Sequence, residues 1–114
     1  MKRDYKLFLK DILSAMEAIE KFVEGMILEE LIQDDKTSSA VIRKFEIVGE
    51  ATKHIPEWLS KSYPEIPWKR MAGMRDRLIH FYFGIDYDLV WKTIKNRLPI
   101  VKPLIAQILE SFES

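Results

Sequence analysis

Apolar side chains recur at helical spacing along most of this chain, and no segment alternates apolar and polar residues in the two-residue period of a strand. The pattern is clearest near the start, where seven apolar residues between Tyr5 and Met26 alternate steps of four and three. A strand cannot present such a seam on one face, because its side chains repeat every two residues. The sequence therefore predicts an all-helical fold and no strands.

The first half of the chain divides into three predicted helices. The seam indicates a first helix from about Arg3 to Gly25, and a short helix is expected over Ile27–Gln33. A second long helix is predicted from about Ala40 to Ile55, with Ser38 or Ser39 as its N-cap. Within that helix, Gly49 is expected to let another backbone approach closely, since it carries no side chain.

The second half is punctuated by prolines. Pro56 ends the regular pattern and starts a short turn, and a third long helix is predicted from Trp68 to Tyr82. A fourth begins after Asp86 as N-cap. Pro99 and Pro103 should kink or split this last helix near Asn96–Pro99. The prediction is four main helices in a bundle, with an extra short helix or turn.

Composition narrows the class of protein. A length of 114 residues suits one domain, which we expect to span 1–114. With no cysteine there is no disulfide framework, thiolate nucleophile or Cys-based zinc site. The 18 basic and 18 acidic residues balance, which argues against a broad basic face for nucleic acid. No apolar run reaches the roughly 20 residues of a membrane helix, and no signal peptide is recognised, so we expect a cytoplasmic protein.

One charged residue interrupts the apolar pattern of the predicted third helix. On a continuous helix Arg75 falls among Met71, Leu78 and Tyr82, where an unpaired guanidinium is costly to bury. The guanidinium of Arg75 must contact an acidic side chain, line a cleft or lie at an interface. A structural ion pair and a functional site both remain open, and Glu46 or Glu50 of the second helix is a candidate partner.

A histidine follows this arginine by five residues. Asp76 precedes His80 by four, so on a helix the carboxylate can hold one imidazole nitrogen and raise the basicity of the other. At roughly 100° per residue, the side chains of Arg75 and His80 would be about 140° apart around the helix axis. Tyr82, seven residues after Arg75, would lie on nearly the same side of the helix as Arg75. Arg75 and His80 can converge only if His80 lies at the end of the helix or a second chain completes the site.

Further positive charges surround the histidine. Lys69, Arg70 and Arg77 join Arg75 in a local basic cluster, against the single acid Asp76 in the predicted helix. We regard these three residues as candidate RNA contacts. Individually, Lys69 and Arg70 are more typical of a solvated helix face.

The segment Met74–Asp86, which reads MRDRLIHFYFGID, resembles the signature of HepT-like toxins in the HEPN superfamily. Supporting likenesses occur at Ile47–Ala51, at Tyr63–Trp68 and at Val90–Trp91, so the resemblance covers nearly the whole chain. The Arg-x4-His core alone is a short pattern, and the following tyrosine and the flanking segments make it fairly specific. The resemblance implies an antiparallel helical bundle that forms a homodimer, with two Arg-x4-His segments meeting at a shared interface cleft.

The resemblance also implies an activity and a partner. It indicates a metal-independent endoribonuclease, without cofactor or metal ligands, that is the toxin of a toxin–antitoxin pair. The implied partner is a minimal nucleotidyltransferase antitoxin that neutralises the toxin and can AMPylate the signature tyrosine, Tyr82.

The residue types fit RNA cleavage by the 2′-hydroxyl. That reaction needs proton transfer near neutral pH, which assigns His80 as general acid and base. It also needs fixed positive charge on the phosphate, which assigns Arg75 as clamp. Asp76 would orient His80, and Tyr82 would position RNA or receive AMP. The alternative is a non-catalytic helical subunit that serves a nucleotidyltransferase as partner or substrate-binding module. An inactive dimeric scaffold would leave Arg75 and the Asp76–His80 pair unexplained.

Overall fold

The computed structural model describes residues 4–80 and 84–113, and the side chains of 4–79 and 84–112. Helices form most of this part of the chain, which confirms the all-helical class. The elements, in chain order, are α1 (Tyr5–Phe22), α2 (Leu28–Gln33), α3 (Asp35–Thr52), α4 (Glu57–Ser62), α5 (Trp68–Ala72), α6 (Met74–Leu78), β1 (Ile79–His80), β2 (Gly84–Ile85), α7 (Tyr87–Lys92), a π-helical turn (Thr93–Arg97) and α8 (Leu98–Glu113).

The long helices α1, α3 and α8 pack side by side, and contacts at their ends fix their directions. Tyr5, at the start of α1, lies edge-on to Phe112, at the end of α8, with ring centroids 5.4 Å apart. At the opposite end, Lys102 of α8 pairs with Glu20 of α1. Helix α1 therefore runs antiparallel to α8. It also runs antiparallel to α3, because Phe8 stacks on the ring of His54, which follows the end of α3.

The core includes the apolar seam predicted for the first helix, together with buried residues of the other two long helices. Each long helix contributes one buried stripe, and these stripes meet with almost no exposed surface. The central members are Leu9, Ile12, Met16 and Ile19 of α1, Val41, Phe45 and Val48 of α3, and Leu98, Ile105 and Ile108 of α8. None of the helices in the described ranges is long and apolar enough to cross a membrane.

The start of α3 corrects one prediction. The helix begins at Asp35 rather than Ala40, and its N-cap is Asp34 rather than Ser38 or Ser39. The Asp34 carboxylate accepts from the Thr37 amide at 2.9 Å and from the Thr37 hydroxyl at 2.7 Å. These two bonds lower the pKa of Asp34. Ser38 is buried inside the first turns, where its hydroxyl donates to the carbonyl of Asp35.

The predicted third helix, Trp68–Tyr82, is wrong as a single element. It divides at Gly73 into α5 and α6 and ends at Leu78. The expectation of no strands is also wrong, since β1 and β2 pair antiparallel, Ile79 with Ile85 and His80 with Gly84. Two residues per strand are too few to produce an alternating pattern. Because residues 4–80 and 84–113 contain three rather than four long helical segments, the regular four-helix bundle stays a prediction.

The last helical segment follows its prediction closely. Asp86 caps α7 by accepting from the amide of Leu89 at 3.1 Å. The segment then widens into a π-helical turn over Thr93–Arg97, where the amide of Leu98 donates to the carbonyl of Thr93. In a regular α-helix the Pro99 ring would clash with the carbonyl four residues before it. The backbone hydrogen bonds therefore change from α-helical to π-helical spacing just before the proline.

Candidate active site

The backbone around the candidate site is held close to α3 by a glycine. A Cβ atom on Gly49 would lie 3.3 Å from the carbonyl oxygen of Met71 and 3.4 Å from that of Ala72. The end of α5 thus packs directly on the backbone of α3, which confirms the close approach predicted at this glycine. This contact fixes where the following helix, α6, begins.

Arg75, on α6, reaches back to α3. Its Nε donates to the Glu46 carboxylate at 3.1 Å, and one terminal nitrogen lies 3.9 Å from the carboxylate of Asp76. The Arg75 side chain is 60% exposed and that of Glu46 is 30% exposed. Of the three environments expected for this guanidinium, reaching an acid is the one observed, and Glu46 rather than Glu50 supplies it. Glu50 instead pairs with Lys53.

The position of Arg75 among apolar neighbours is a correction. A continuous helix would place it in the middle of the buried face, but the break at Gly73 changes its bearing and leaves it accessible to solvent. With its Nε bonded to Glu46, this exposed side chain has its two terminal nitrogens as the remaining donors. These are the donors that bind phosphate oxygens in pairs.

The helical relation between Asp76 and His80 does not apply. Asp76 lies on α6 with an 88% exposed side chain, whereas the backbone of His80 belongs to β1 and pairs with Gly84. The 140° separation of Arg75 and His80 on a continuous helix is therefore removed. The His80 side chain and all of Tyr82 lie outside the described residues, and their predicted roles stay predictions.

The strands β1 and β2 pair next to the candidate site. Gly84 has φ +83°, a left-handed conformation that glycine adopts without a Cβ clash. Two residues later, the Asp86 amide donates to the carbonyl of Leu78 at 2.8 Å. The end of α6 and the start of α7 are thus joined across this strand pair.

Two of the three predicted RNA contacts line an open cleft. Arg70 and Arg77 border a cavity of about 320 Å³, and Lys92 and Arg97 of the last helical segment border it too. Lys69 is exposed and does not line this cleft. Sequence reasoning missed Lys92 and Arg97, because no local pattern relates them to residues some twenty positions earlier.

No cluster of three or more histidine, aspartate and glutamate side chains suited to a metal ion occurs within 4–79 and 84–112. The second histidine, His54, is exposed and stacks on Phe8 with ring centroids 4.7 Å apart.

The sequence is similar to one known protein family and to several known proteins. The profile of a family described as "Ribonuclease HepT-like" matches residues 12–108. A Thermococcus cleftensis protein named "Probable ribonuclease HepT" is 50% identical over 102 residues, covering 90% of this chain and 93% of that protein. A Methanocaldococcus jannaschii protein whose name marks it as a candidate RNase is 48% identical over 112 residues, covering 98% and 97%. No solved structure matches at a significant level.

Proposed function

The chain belongs to the HepT-like ribonuclease family, and from this premise we propose that it is an endoribonuclease that cleaves RNA without a metal ion. We further propose that it acts in the cytoplasm as the toxin of a toxin–antitoxin pair and forms a homodimer. Its antitoxin would be a minimal nucleotidyltransferase. The premise that it is a ribonuclease rests on the family, and the finer statements are argued below from residues.

The observation that carries the catalytic proposal is the hydrogen bond between Arg75 and Glu46. Burying a guanidinium needs a partner, but Arg75 is accessible, so the bond to Glu46 serves to hold the Nε edge in one orientation. The free edge then faces solvent as a preorganised clamp for a phosphate whose negative charge grows during cleavage. The reduction in the activation barrier that such orientation provides is larger than the free energy that the ion pair contributes to folding.

The proton transfers are assigned to His80. In the proposed reaction an imidazole nitrogen takes the proton of the 2′-hydroxyl, the 2′-oxygen forms a bond to phosphorus, and the bond from phosphorus to the 5′-oxygen breaks. The departing 5′-oxygen must receive a proton, which a protonated imidazole can donate. Asp76 is proposed to orient His80. The end of α6 at Leu78 supports a shared site for His80 and Arg75, because it removes the 140° separation that a continuous helix would impose on them.

Regulation is assigned to Tyr82. We propose that this tyrosine positions RNA in the free toxin and receives AMP from the antitoxin. An adenylyl group would add bulk and a negative phosphate beside Arg75 and His80, and so repel RNA. Mass spectrometry after co-expression with a minimal nucleotidyltransferase tests this. An adenylyl mass on another residue, or on none, contradicts the assignment.

The catalytic assignment is tested with purified protein, total RNA and EDTA. Wild type is expected to cleave, whereas Arg75→Ala and His80→Ala should each lose about a hundredfold or more in rate, the scale typical of a lost charge stabiliser or proton-transfer group. Lys61→Ala is the control, since it removes a surface cation that pairs with Glu57 on α4. Equal cleavage by all four proteins, each with an unchanged thermal melt, would refute the assignment.

The alternative, a non-catalytic subunit of a nucleotidyltransferase, is separated by induction of the chain alone in cells. Growth arrest that requires His80 supports the toxin. Normal growth together with tight binding to the nucleotidyltransferase supports the subunit.

A further inference from the structure

A second surface, distinct from the Arg75–Glu46 pair, lies on the opposite side of α6. It is the cleft bordered by α1, by α5 and α6, and by the last helical segment from α7 to the start of α8. Its floor is apolar and largely buried, formed by Met16, Met71, Leu98 and Val101. A volume of about 320 Å³ is at the small end of ligand sites, and suits one nucleotide-sized group rather than an extended peptide.

The rim of the cleft carries positive charge without an acidic counterpart. Arg70, Arg77, Lys92 and Arg97 are all exposed there, and none of the described residues that line the cleft is an aspartate or glutamate. Within 4–79 and 84–112 none of these four side chains forms an ion pair or hydrogen bond. Four unpaired cations around one cavity are unexpected in a chain with zero net charge, and they complement an anion.

The wide turn in the last helix supplies a second observation. Thr93–Arg97 is π-helical, and three of its five residues, Thr93, Asn96 and Arg97, line the cleft. Single π-helical turns cost regular hydrogen bonding and occur frequently at functional sites. Here the turn brings a guanidinium and a side-chain amide to one cavity wall, and an amide both donates to and accepts from base edges.

We propose that this cleft binds one nucleoside monophosphate unit, with its base on the methionine-containing floor and its phosphate at the rim formed by Arg70, Arg77, Lys92 and Arg97. In the setting of the proposed function, on which this inference rests, the unit is a nucleotide of the RNA substrate next to the scissile bond. Arg75 and Arg77 are two residues apart on α6 and point to different surfaces. An RNA strand that crosses α6 would therefore meet the clamp first and the cleft next.

The binding test uses a labelled single-stranded RNA oligomer with 2′-O-methyl groups, which lacks the nucleophile and stays intact. Lys92→Ala, Arg97→Ala and the double variant should weaken its binding in fluorescence anisotropy. Each lost phosphate contact should also reduce the slope of log affinity against log salt by about 0.7. Lys95→Ala is the matched control, because Lys95 lies in the same wide turn but over the Trp91 ring, 4.8 Å from its centroid. It should change neither quantity.

Free nucleotides identify the source of the ligand. AMP and inorganic phosphate are titrated separately into each protein and followed by NMR. If AMP binds more tightly than phosphate and Arg97→Ala abolishes the difference, the cleft accepts a free nucleotide as well. If only the oligomer depends on Lys92 and Arg97, the cleft is a subsite of the RNA strand. If the double variant binds the RNA oligomer and AMP as tightly as wild type does, the proposal is overturned.

The outcome is separable from that of the ribonuclease proposal. Oligomer binding that depends on Lys92 and Arg97, in a protein that does not cleave RNA, leaves the cleft established and the nuclease refuted. If the double variant of Lys92 and Arg97 cleaves RNA and binds the oligomer as well as the Lys95→Ala control does, the ribonuclease proposal stands and the cleft proposal is rejected. Thermal melts of all variants identify any that fail to fold.

Discussion

Arg75 and Glu46 are joined by a 3.1 Å hydrogen bond between residues 29 positions apart in sequence, and this bond links the short helix α6 to the long helix α3. Because the guanidinium is 60% exposed, the pair contributes about 1 kcal/mol or less to stability. Its importance is orientation. The Glu46 carboxylate holds Nε, Asp76 lies 3.9 Å from one terminal nitrogen, and the proposed phosphate would bind the terminal nitrogens of this exposed side chain.

Removing the carboxylate should therefore affect rate more than stability. We expect Glu46→Ala to lower the single-turnover rate of RNA cleavage by about ten- to a hundredfold. Without the carboxylate, the Arg75 side chain rotates freely and is no longer held in the orientation that binds the reacting phosphate. Glu46→Gln keeps an acceptor and should restore part of the rate. Glu50→Ala, one turn further along α3 and paired with Lys53, is the control. A rate for Glu46→Ala within twofold of this control would exclude the positioning role.

The contact at Gly49 predicts a stability effect. Gly49→Val adds a branched side chain where even a Cβ would lie 3.3 Å from the Met71 carbonyl, so α5 must move away. Overpacking of this kind costs about 1–3 kcal/mol in the free energy of unfolding. Glu50→Val places the same residue on the exposed side of α3 and controls for the helix propensity of valine. Chemical denaturation that gives equal midpoints for the two variants would show that α5 does not rest on Gly49.

The cap at Asp34 predicts a pH dependence. The Thr37 hydroxyl and amide lower the pKa of Asp34 below 3.8 in the folded state, so its contribution to stability is complete above the unfolded pKa. The contribution is lost as the pH falls through the lowered folded pKa. We expect Asp34→Asn to show a shallower fall in Tm than wild type between about pH 4 and pH 2.

The neighbouring exposed Asp35, substituted Asp35→Asn, controls for the general effect of removing one acidic group. If the Tm curves of Asp34→Asn and wild type stay parallel through the acid range, the two bonds from Thr37 do not stabilise the ionised carboxylate.

The π-helical turn predicts an effect on binding. Pro99→Ala supplies an amide that can donate to the carbonyl of Lys95 and removes the ring that opposes a regular helix. We expect the turn to tighten into α-helix and to carry Arg97 off the cleft wall. RNA oligomer binding should then fall to about the level of Arg97→Ala. Pro103→Ala, inside the uninterrupted α8, is the control. Undiminished binding by Pro99→Ala would separate the turn from the cleft.

The elements that the sequence predicted well are those with local causes. The apolar seam of α1, the short α2 and the Asp86 cap each depend on residues within one or two turns of each other. The split in the last helix was also predictable, since a proline affects only the turn before it.

The failures have a different origin. Ser38, Ser39 and Asp34 are all good N-cap residues, and the choice among them depends on Thr37, whose hydroxyl adds a second bond to Asp34 alone. Gly73 was the available signal for the break in the third helix, but its cost of roughly 1 kcal/mol is too small to end a helix without tertiary packing. The site was predicted in part: Arg75 and its acidic partner were anticipated, whereas its exposure follows from that break.

The five-residue helix α6 carries two arginines that face different surfaces. Arg75 binds Glu46 of α3, and Arg77 borders the cleft. Because both side chains extend from one short helix, a shift of α6 at one surface also moves the other surface. In the proposed complex, binding energy from the nucleotide in the cleft, next to the scissile bond, would act through α6 on Arg75 and help to hold the reacting phosphate rather than tighten substrate binding. Shortened RNA substrates that leave the cleft empty should consequently react slowly even when they saturate the protein.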